Sequence, residues 1–153
     1  MRRPPTITAA AFARFGTVHA PIAGTRDHAA EGWVKLASDS YASPIESRRF
    51  QLEAAGPVTI IEVHPGSPQL TVSFDADWTI RVLPKGQGPD GATPQLFNSF
   101  TVPAGTGVIL NAGLWHTPVL AQAATEALVA FRGGTTDHGT DWVELTEPLA
   151  FED

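Results

Sequence analysis

From residue 45 onward, apolar and polar positions alternate in short runs, which is the period-two pattern of β-strands. Turns containing glycine or proline separate these runs, and no sustained helical period falls between them. The predicted strands are Arg48–Leu52, Val58–His64, Gln69–Phe74, Trp78–Leu83, Phe97–Val102, Gly107–Asn111, Leu114–Leu120, Ala127–Phe131 and Trp142–Leu145. Short strands at this spacing, with no helices between them, predict an all-β sandwich or barrel.

The N-terminal part of the chain follows a different pattern. Thr6 or Thr8 can cap a short amphipathic helix over Ala9–Arg14, and Gly16 is placed to end it. Residues 17–44 show no sustained period, and we predict an irregular segment there with one short strand at Trp33–Leu36. Long irregular segments in compact domains often cover a functional site, and we expect that here.

Composition narrows the class of protein. A length of 153 residues predicts one domain over residues 1–153 with a proper core. No stretch approaches the roughly 20 apolar residues of a membrane helix, and the N-terminus lacks the apolar run of a secretory signal. We therefore expect a cytoplasmic protein that does not bind membranes.

Charge and cysteine content limit the chemistry. The chain has no cysteine, which excludes disulfides, thiolate nucleophiles and cysteine-ligated zinc. Its formal net charge is −6, with no run of lysine or arginine, so the sequence gives little support for nucleic-acid binding. A small polar substrate fits this composition better.

Two segments, 60–69 and 107–118, each contain a histidine next to apolar strand residues and a proline turn. In the first, Glu62 and His64 lie two residues apart, so a regular strand points both side chains to one face. A carboxylate in an apolar strand is costly unless it is paired or faces a wet pocket, and beside an imidazole it fixes the tautomer. The second segment ends in Trp115-His116. We predict Glu62, His64 and His116 as acid–base residues or as ligands of a divalent metal.

Other polar residues near these strand ends could bind a substrate. Arg48 could clamp a carboxylate through two parallel hydrogen bonds. Gln69 and Asn111 could supply amide donors and acceptors, and Trp115 could form a dry wall beside His116. Each residue type also has an ordinary structural use, as a turn hydrogen bonder, a surface charge or a packing group.

The ordered set of segments resembles the ureidoglycolate lyase family, whose members are compact cupin-like β-barrels. The resemblance covers roughly residues 6–145 and is carried by the helix and Phe-Gly of Ile7–Val18, Arg48, Glu62-x-His64-Pro65 with Gln69, Trp78–Pro84 with Pro89-Asp90, and Gly107-Val108 through Trp115-His116-x-Pro118. It implies an all-β, cupin-like jelly-roll barrel with a short N-terminal helix.

The resemblance also implies a function. The expected enzyme is a carbon–nitrogen lyase of the amidine-lyase type, which splits ureidoglycolate into glyoxylate and urea in allantoin and purine catabolism. His116 would be the base, and Glu62 with His64 the opposing acid–base pair. Arg48 would hold the carboxylate and Gln69 with Asn111 the ureido end, and Trp115 would belong to the substrate-binding residues as the wall beside His116. The resemblance allows a divalent metal such as nickel and implies a homodimer.

The sequence departs from the family pattern near the expected pocket. The family usually has His where Asn111 stands and often a second His at Thr117, and it tends toward an aromatic residue and proline at Thr71 and Ser73. Two alternatives therefore stay open: a metal-dependent cupin enzyme, such as an isomerase or dioxygenase, acting on another small acid, and a non-catalytic cupin that binds a small ligand.

Overall fold

The computed structural model describes residues 3–19, 45–52, 56–121, 123–135 and 139–151. The helix α1 spans Ala9–Phe12 and a 3₁₀ turn spans Pro94–Leu96. The strands are β1 (Gly16–His19), β2 (Ile45–Leu52), β3 (Val58–Val63), β4 (Gln69–Ser73), β5 (Trp78–Val82), β6 (Asn98–Val102), β7 (Gly107–Leu110), β8 (Leu120–Ala121), β9 (Thr125–Arg132) and β10 (Asp141–Leu149). The predicted all-β class with a short N-terminal helix is confirmed.

The strands form two layers. The first is a five-stranded antiparallel sheet in the order β1-β7-β4-β9-β2. The second contains the pair β10-β3 and the group β6-β5-β8, which His116 joins by bridging to Glu62 of β3 and Val82 of β5. Within the described residues, strand pairing does not close these sheets into a continuous barrel, and their arrangement is cupin-like.

The main core lies between the sheets. It combines residues of the N-terminal segment, the second sheet and β7: Ile7, Phe12, Phe15, Trp78, Ile80, Val82, Phe100, Val102, Val108, Leu110 and Leu114. A second cluster covers the opposite face of the second sheet, with Val58, Ile61, Leu83, Phe97 and Leu149. The central strand β5 is thus buried on both faces, which explains why all five of its residues are buried without alternation.

The N-terminal helix is held by a side-chain cap. Thr8 Oγ1 accepts a hydrogen bond from the Ala11 N–H at 3.2 Å, which satisfies one of the free N–H groups of the first turn. The helix ends earlier than predicted, and Gly16 begins β1 instead of only ending the helix. A Cβ atom on Gly16 would lie 1.8 Å from the Ile109 carbonyl oxygen, so the close pairing with β7 requires glycine there.

Most predicted strands are present, with ends that differ by a few residues. The predicted strand at Leu114–Leu120 is wrong: only Leu120–Ala121 forms a strand, and His116 makes an isolated bridge. The irregular segment predicted over residues 17–44 is also wrong at its start, because residues 17–19 belong to β1. The predicted strand at Trp33–Leu36 lies outside the described residues.

Among the helices in the described ranges, none is long and apolar enough to span a bilayer.

Candidate active site

The site forms where β3 ends and the segment 115–117 crosses beside it. Glu62 and His116 exchange two backbone hydrogen bonds, N–H to O in each direction, at 2.9 Å each. On the other side of the segment, the Leu83 N–H donates to the Trp115 carbonyl oxygen at 2.8 Å. The segment is therefore held between β3 and β5, and directly paired residues place their side chains on the same face of the sheet.

Three ionisable side chains meet on that face. Glu62 Oε1 lies 3.5 Å from His116 Nε2 and 4.0 Å from His64 Nε2. The two imidazole rings are 5.3 Å apart between centroids. Both histidines are buried, while Glu62 keeps about a fifth of its side-chain surface, 22%, in contact with solvent. The structure thus brings together the three residues that the sequence singled out for acid–base or metal chemistry.

A hydrogen bond to Thr140, just before β10, determines which ring nitrogen of His64 carries the hydrogen. His64 Nδ1 lies 2.9 Å from Thr140 Oγ1, and that hydroxyl donates to the Thr135 carbonyl oxygen at 2.9 Å. Because the Thr140 proton is used there, Thr140 accepts and His64 Nδ1 carries the hydrogen. His64 Nε2 then presents a lone pair toward Glu62 and His116, and it has no hydrogen-bond partner among the described residues.

His116 is held at both ring nitrogens. Its Nδ1 donates to the Leu114 carbonyl oxygen at 2.8 Å, and its Nε2 lies 2.8 Å from Gln69 Oε1. Two acceptor lone pairs cannot face each other at that distance. The contact is a hydrogen bond when His116 is protonated at both nitrogens, or when the Gln69 amide turns its NH₂ group toward a neutral ring. The orientation of the Gln69 amide that makes this contact a hydrogen bond therefore depends on the protonation state of His116.

The local environment shifts the pKa values of Glu62 and His64. Burial acts to raise the pKa of Glu62, but the hydrogen bond with His116 and the charges of both imidazoles outweigh it, so this pKa lies below its usual value. Burial, reinforced by repulsion from His116, lowers the pKa of His64 to about 4. At neutral pH the cluster thus contains an ionised carboxylate and a neutral His64 imidazole.

The same cluster fits a divalent metal ion. One ligand atom from each of Glu62, His64 and His116 can be chosen so that all lie within 4.8 Å of one another. A carboxylate oxygen with two imidazole nitrogens is a donor set that suits a transition metal. The buried, unpartnered lone pair of His64 is the specific feature that such an ion would satisfy.

A small cavity of about 10 Å³ lies inside the protein next to His116. Polar atoms without hydrogen-bond partners in the described part of the chain, Trp78 Nε1 and Thr117 Oγ1, belong to residues that line it, as do Gln69 and Thr71. Gln69 Nε2 donates to Thr71 Oγ1 at 3.2 Å. A polar cavity of this size has room for about one water molecule.

Two other predicted binding residues, Trp115 and Asn111, lie away from this cluster. Trp115 packs against the second core cluster, on the face of the sheet opposite His116, and its place in the pocket wall stays a prediction. Asn111 is exposed at the end of β7 and does not line the small cavity. The backbone of Arg48 pairs with Val129, but its side chain lies outside the described part of the structure.

The departures from the family pattern fall in different places. Thr71 and Thr117 line the small cavity beside His116. Ser73 lies at the other end of β4, where its hydroxyl donates to the Ala76 carbonyl oxygen at 2.6 Å. Sequence reasoning missed Thr140, because it is 76 residues from His64 and no local motif marks it.

The solved structures similar to this chain include oxalate oxidases and oxalate decarboxylases. A recombinant oxalate oxidase in complex with glycolate has 17% identity over 63% of this chain and 45% of its own, with a TM-score of 0.46. An oxalate decarboxylase formate complex from Lactobacillus farciminis has 15% identity over 68% and 27%, with a TM-score of 0.46. The oxalate decarboxylase of Bacillus subtilis, studied for its Mn(II) centres, has 19% identity over 67% and 24%, with a TM-score of 0.44. The chain thus spans less than half the length of each of these proteins.

Sequence comparison identifies the family. No curated protein matches the chain at a significant level. A family model described as ureidoglycolate lyase matches residues 2–152, nearly the whole sequence. The resemblance found in the sequence is therefore confirmed, and the chain belongs to the ureidoglycolate lyase family of enzymes.

Proposed function

We propose that this protein splits ureidoglycolate into glyoxylate and urea, as a carbon–nitrogen lyase of the amidine-lyase type. The single observation that supports this most is the convergence of Glu62, His64 and His116 on one face of the second sheet, in a chain of this family. The reaction collapses a carbinolamide and needs proton transfer, with no covalent nucleophile. A buried imidazole beside a carboxylate supplies that chemistry.

His116 is the proton carrier in this proposal. Its Nε2 takes the proton of the carbinol hydroxyl, the C–O bond becomes the carbonyl of glyoxylate, and the C–N electrons leave with the urea nitrogen. His116 returns the same proton to that nitrogen, so no proton is gained or lost overall. Glu62, 3.5 Å from His116 Nε2, stabilises the imidazolium formed between the two steps.

Gln69 and His64 support this step in different ways. Gln69 holds the His116 ring at 2.8 Å and can turn its amide as the ring gains or loses a proton. His64 is a less suitable proton donor than the sequence suggested, because a pKa of about 4 leaves it neutral at neutral pH. We assign His64 to accepting a hydrogen bond or holding a cation through its free Nε2.

A divalent metal is an alternative that the cluster supports, and we propose nickel as the first to test. Glu62, His64 and His116 would hold it, and because His116 Nε2 would then be a ligand, the metal would replace proton transfer by His116. When bound, such an ion supplies Lewis-acid polarisation of the carbinol oxygen. Metal analysis of the purified protein, followed by chelation and reconstitution, tests this alternative separately from substrate identity. Activity that survives complete metal removal would reject it.

The resemblance also leads us to propose a homodimer in the cytoplasm. We also propose that Arg48 binds the substrate carboxylate and Asn111 the ureido group, and single substitutions can test each role. Equilibrium sedimentation measures the oligomeric state, and cell fractionation tests the location in the cytoplasm.

The experiment for the function is the release of glyoxylate and urea from ureidoglycolate, in equal amounts and above the spontaneous rate. The His116→Ala variant should lose about 10²–10⁴-fold in turnover, because it lacks the proton carrier. His19→Ala, which removes an imidazole on β1 outside the cluster, is the matched control and should keep most of the activity. Full activity in the His116→Ala enzyme would remove His116 from the mechanism.

A further inference from the structure

A tryptophan on the edge strand lies in the same cross-strand row as the site. Trp142 of β10 pairs with Glu62 of β3, Glu62 pairs with His116, and His116 pairs with Val82. Paired residues share a face, and Val82 belongs to the core between the sheets. The row therefore places the Trp142 side chain on the inner face of the second sheet, next to Glu62.

The hydrogen-bond pattern brings these two side chains close together. The N–H and C=O of Glu62 both point to His116, with which they form two bonds of 2.9 Å. Toward β10, Glu62 therefore forms a non-hydrogen-bonded pair with Trp142. In such pairs the backbones approach more closely, and the side chains lie closer together than in hydrogen-bonded pairs.

The indole of Trp142 is nevertheless largely uncovered. The residue is 63% exposed, the largest value among the exposed large apolar residues of the described chain. It belongs to neither of the two core clusters. A large aromatic surface left open beside a half-buried carboxylate is typical of a binding site rim, where aromatic residues contribute contact area and a few polar groups fix orientation.

We propose that Trp142 forms the rim of the site and determines its specificity, by stacking on the planar ureido group of the substrate while Glu62 accepts one of its N–H groups. The inference rests on the proposed function for the identity of the ligand. An indole face carries negative potential, as does the Glu62 carboxylate. Both disfavour the carboxylate end of ureidoglycolate and favour a neutral, planar, N–H-bearing group.

The proposal fixes the orientation of the substrate. The ureido end lies between Trp142 and Glu62 at the open edge of the sheet, and the carboxylate end lies away from the indole. Trp142 is thus expected to contribute to binding of the ureido group and little to binding of fragments that lack it.

Kinetics of Trp142→Ala and Trp142→Phe with ureidoglycolate, and competition by glycolate, test this orientation. Trp142→Ala should raise KM about 10-fold with kcat changed less than about 3-fold. The KM of Trp142→Phe should lie between those of Trp142→Ala and the wild type. The inhibition constant of glycolate, which has the carboxylate and hydroxyl but no ureido group, should change less than about 2-fold. Phe74→Ala, an exposed aromatic residue just beyond the far end of β4, is the matched control.

Several outcomes would overturn the proposal. An unchanged KM in Trp142→Ala, or an equal loss of glycolate and ureidoglycolate binding, would reject the stacking arrangement while leaving the lyase function standing. Conversion of a dimer to a monomer by Trp142→Ala, seen by sedimentation, together with loss of activity would assign the indole to a subunit interface instead.

A binding measurement separates this proposal from the proposed function. The difference in fluorescence between wild type and Trp142→Phe isolates the indole of Trp142. If wild type does not turn over ureidoglycolate but the Trp142 signal responds to it, the lyase function fails and the ligand contact stands. If neither turnover nor a fluorescence response is seen, both are rejected.

Discussion

Glu62 and His116 are antiparallel backbone partners as well as side-chain partners. Their two N–H···O bonds of 2.9 Å align residues 54 positions apart, and the same pairing places Glu62 Oε1 3.5 Å from His116 Nε2. A shift of one residue in this register would turn one side chain to the opposite face, against the apolar second cluster. The geometry of the site is therefore determined by sheet pairing.

Removing the partner of His64 should destabilise the protein. In Thr140→Val the His64 Nδ1–H, now bonded at 2.9 Å, loses its acceptor inside the protein. We expect a loss of about 1–3 kcal/mol in the free energy of unfolding, measured by chemical denaturation. Thr140→Ser keeps the hydroxyl and should be close to wild type. ¹⁵N NMR of the imidazole should also show that the fixed tautomer is lost in the valine variant, and an unchanged tautomer and stability would contradict the assignment.

Stability should fall as the pH is lowered from about 6.5 to about 4. Burial lowers the pKa of His64 to about 4 in the folded chain from its usual value of 6.5, so the unfolded chain binds this proton at a higher pH. Acidification across that window therefore favours the unfolded state. Denaturation curves of wild type and His64→Gln should show a shallower pH dependence in the variant. Equal slopes would argue that His64 titrates in the folded protein as it does when unfolded.

Gln69 should affect turnover more than substrate affinity. Its side chain is engaged with His116 at 2.8 Å and with Thr71 at 3.2 Å, so it orients the proton carrier inside the protein. We expect Gln69→Leu to lower kcat by about 10–100-fold, with a smaller change in KM. The opposite result, a raised KM with kcat preserved, would restore the role in holding the ureido group that the sequence suggested.

Gly16 should tolerate no side chain. A Cβ atom there would lie 1.8 Å from the Ile109 carbonyl oxygen, so Gly16→Ala must push β1 away from β7. We expect the free energy of unfolding to fall by about 1–3 kcal/mol or more. Gly88→Ala, where a Cβ would meet nothing within 4 Å, is the control and should change stability little. Similar stabilities of the two variants would show that the strands can separate at no cost.

The sequence predicted those parts of the molecule that depend on local pattern. Alternation along β3 predicts that Glu62 and His64 lie on one face. The helix is capped by Thr8, one of the two threonines that the sequence offers for this position. The structure of the segment around His116 could not be predicted in the same way. It pairs with β3 and β5, which are distant in the sequence, and such pairing leaves no periodic pattern.

Long-range register explains what sequence reasoning missed. Thr140 reaches His64 only because β10 pairs with β3, and the same register brings Trp142 beside Glu62. Trp115, adjacent to His116, packs with the second core cluster because alternation along the paired segment points the two side chains to opposite faces. Local propensity predicts which residues form strands, whereas the identity of the neighbouring strand decides which side chains meet.

The most direct test of the central claim compares Glu62→Gln with Glu144→Gln in the release of glyoxylate from ureidoglycolate. Both changes remove one carboxylate from the paired strands β3 and β10, but only Glu62 lies beside the two histidines. We predict a loss of about 100-fold or more in kcat for Glu62→Gln and near wild-type turnover for Glu144→Gln. Equal turnover by the two variants, or no turnover of ureidoglycolate by the wild-type protein, would contradict the account.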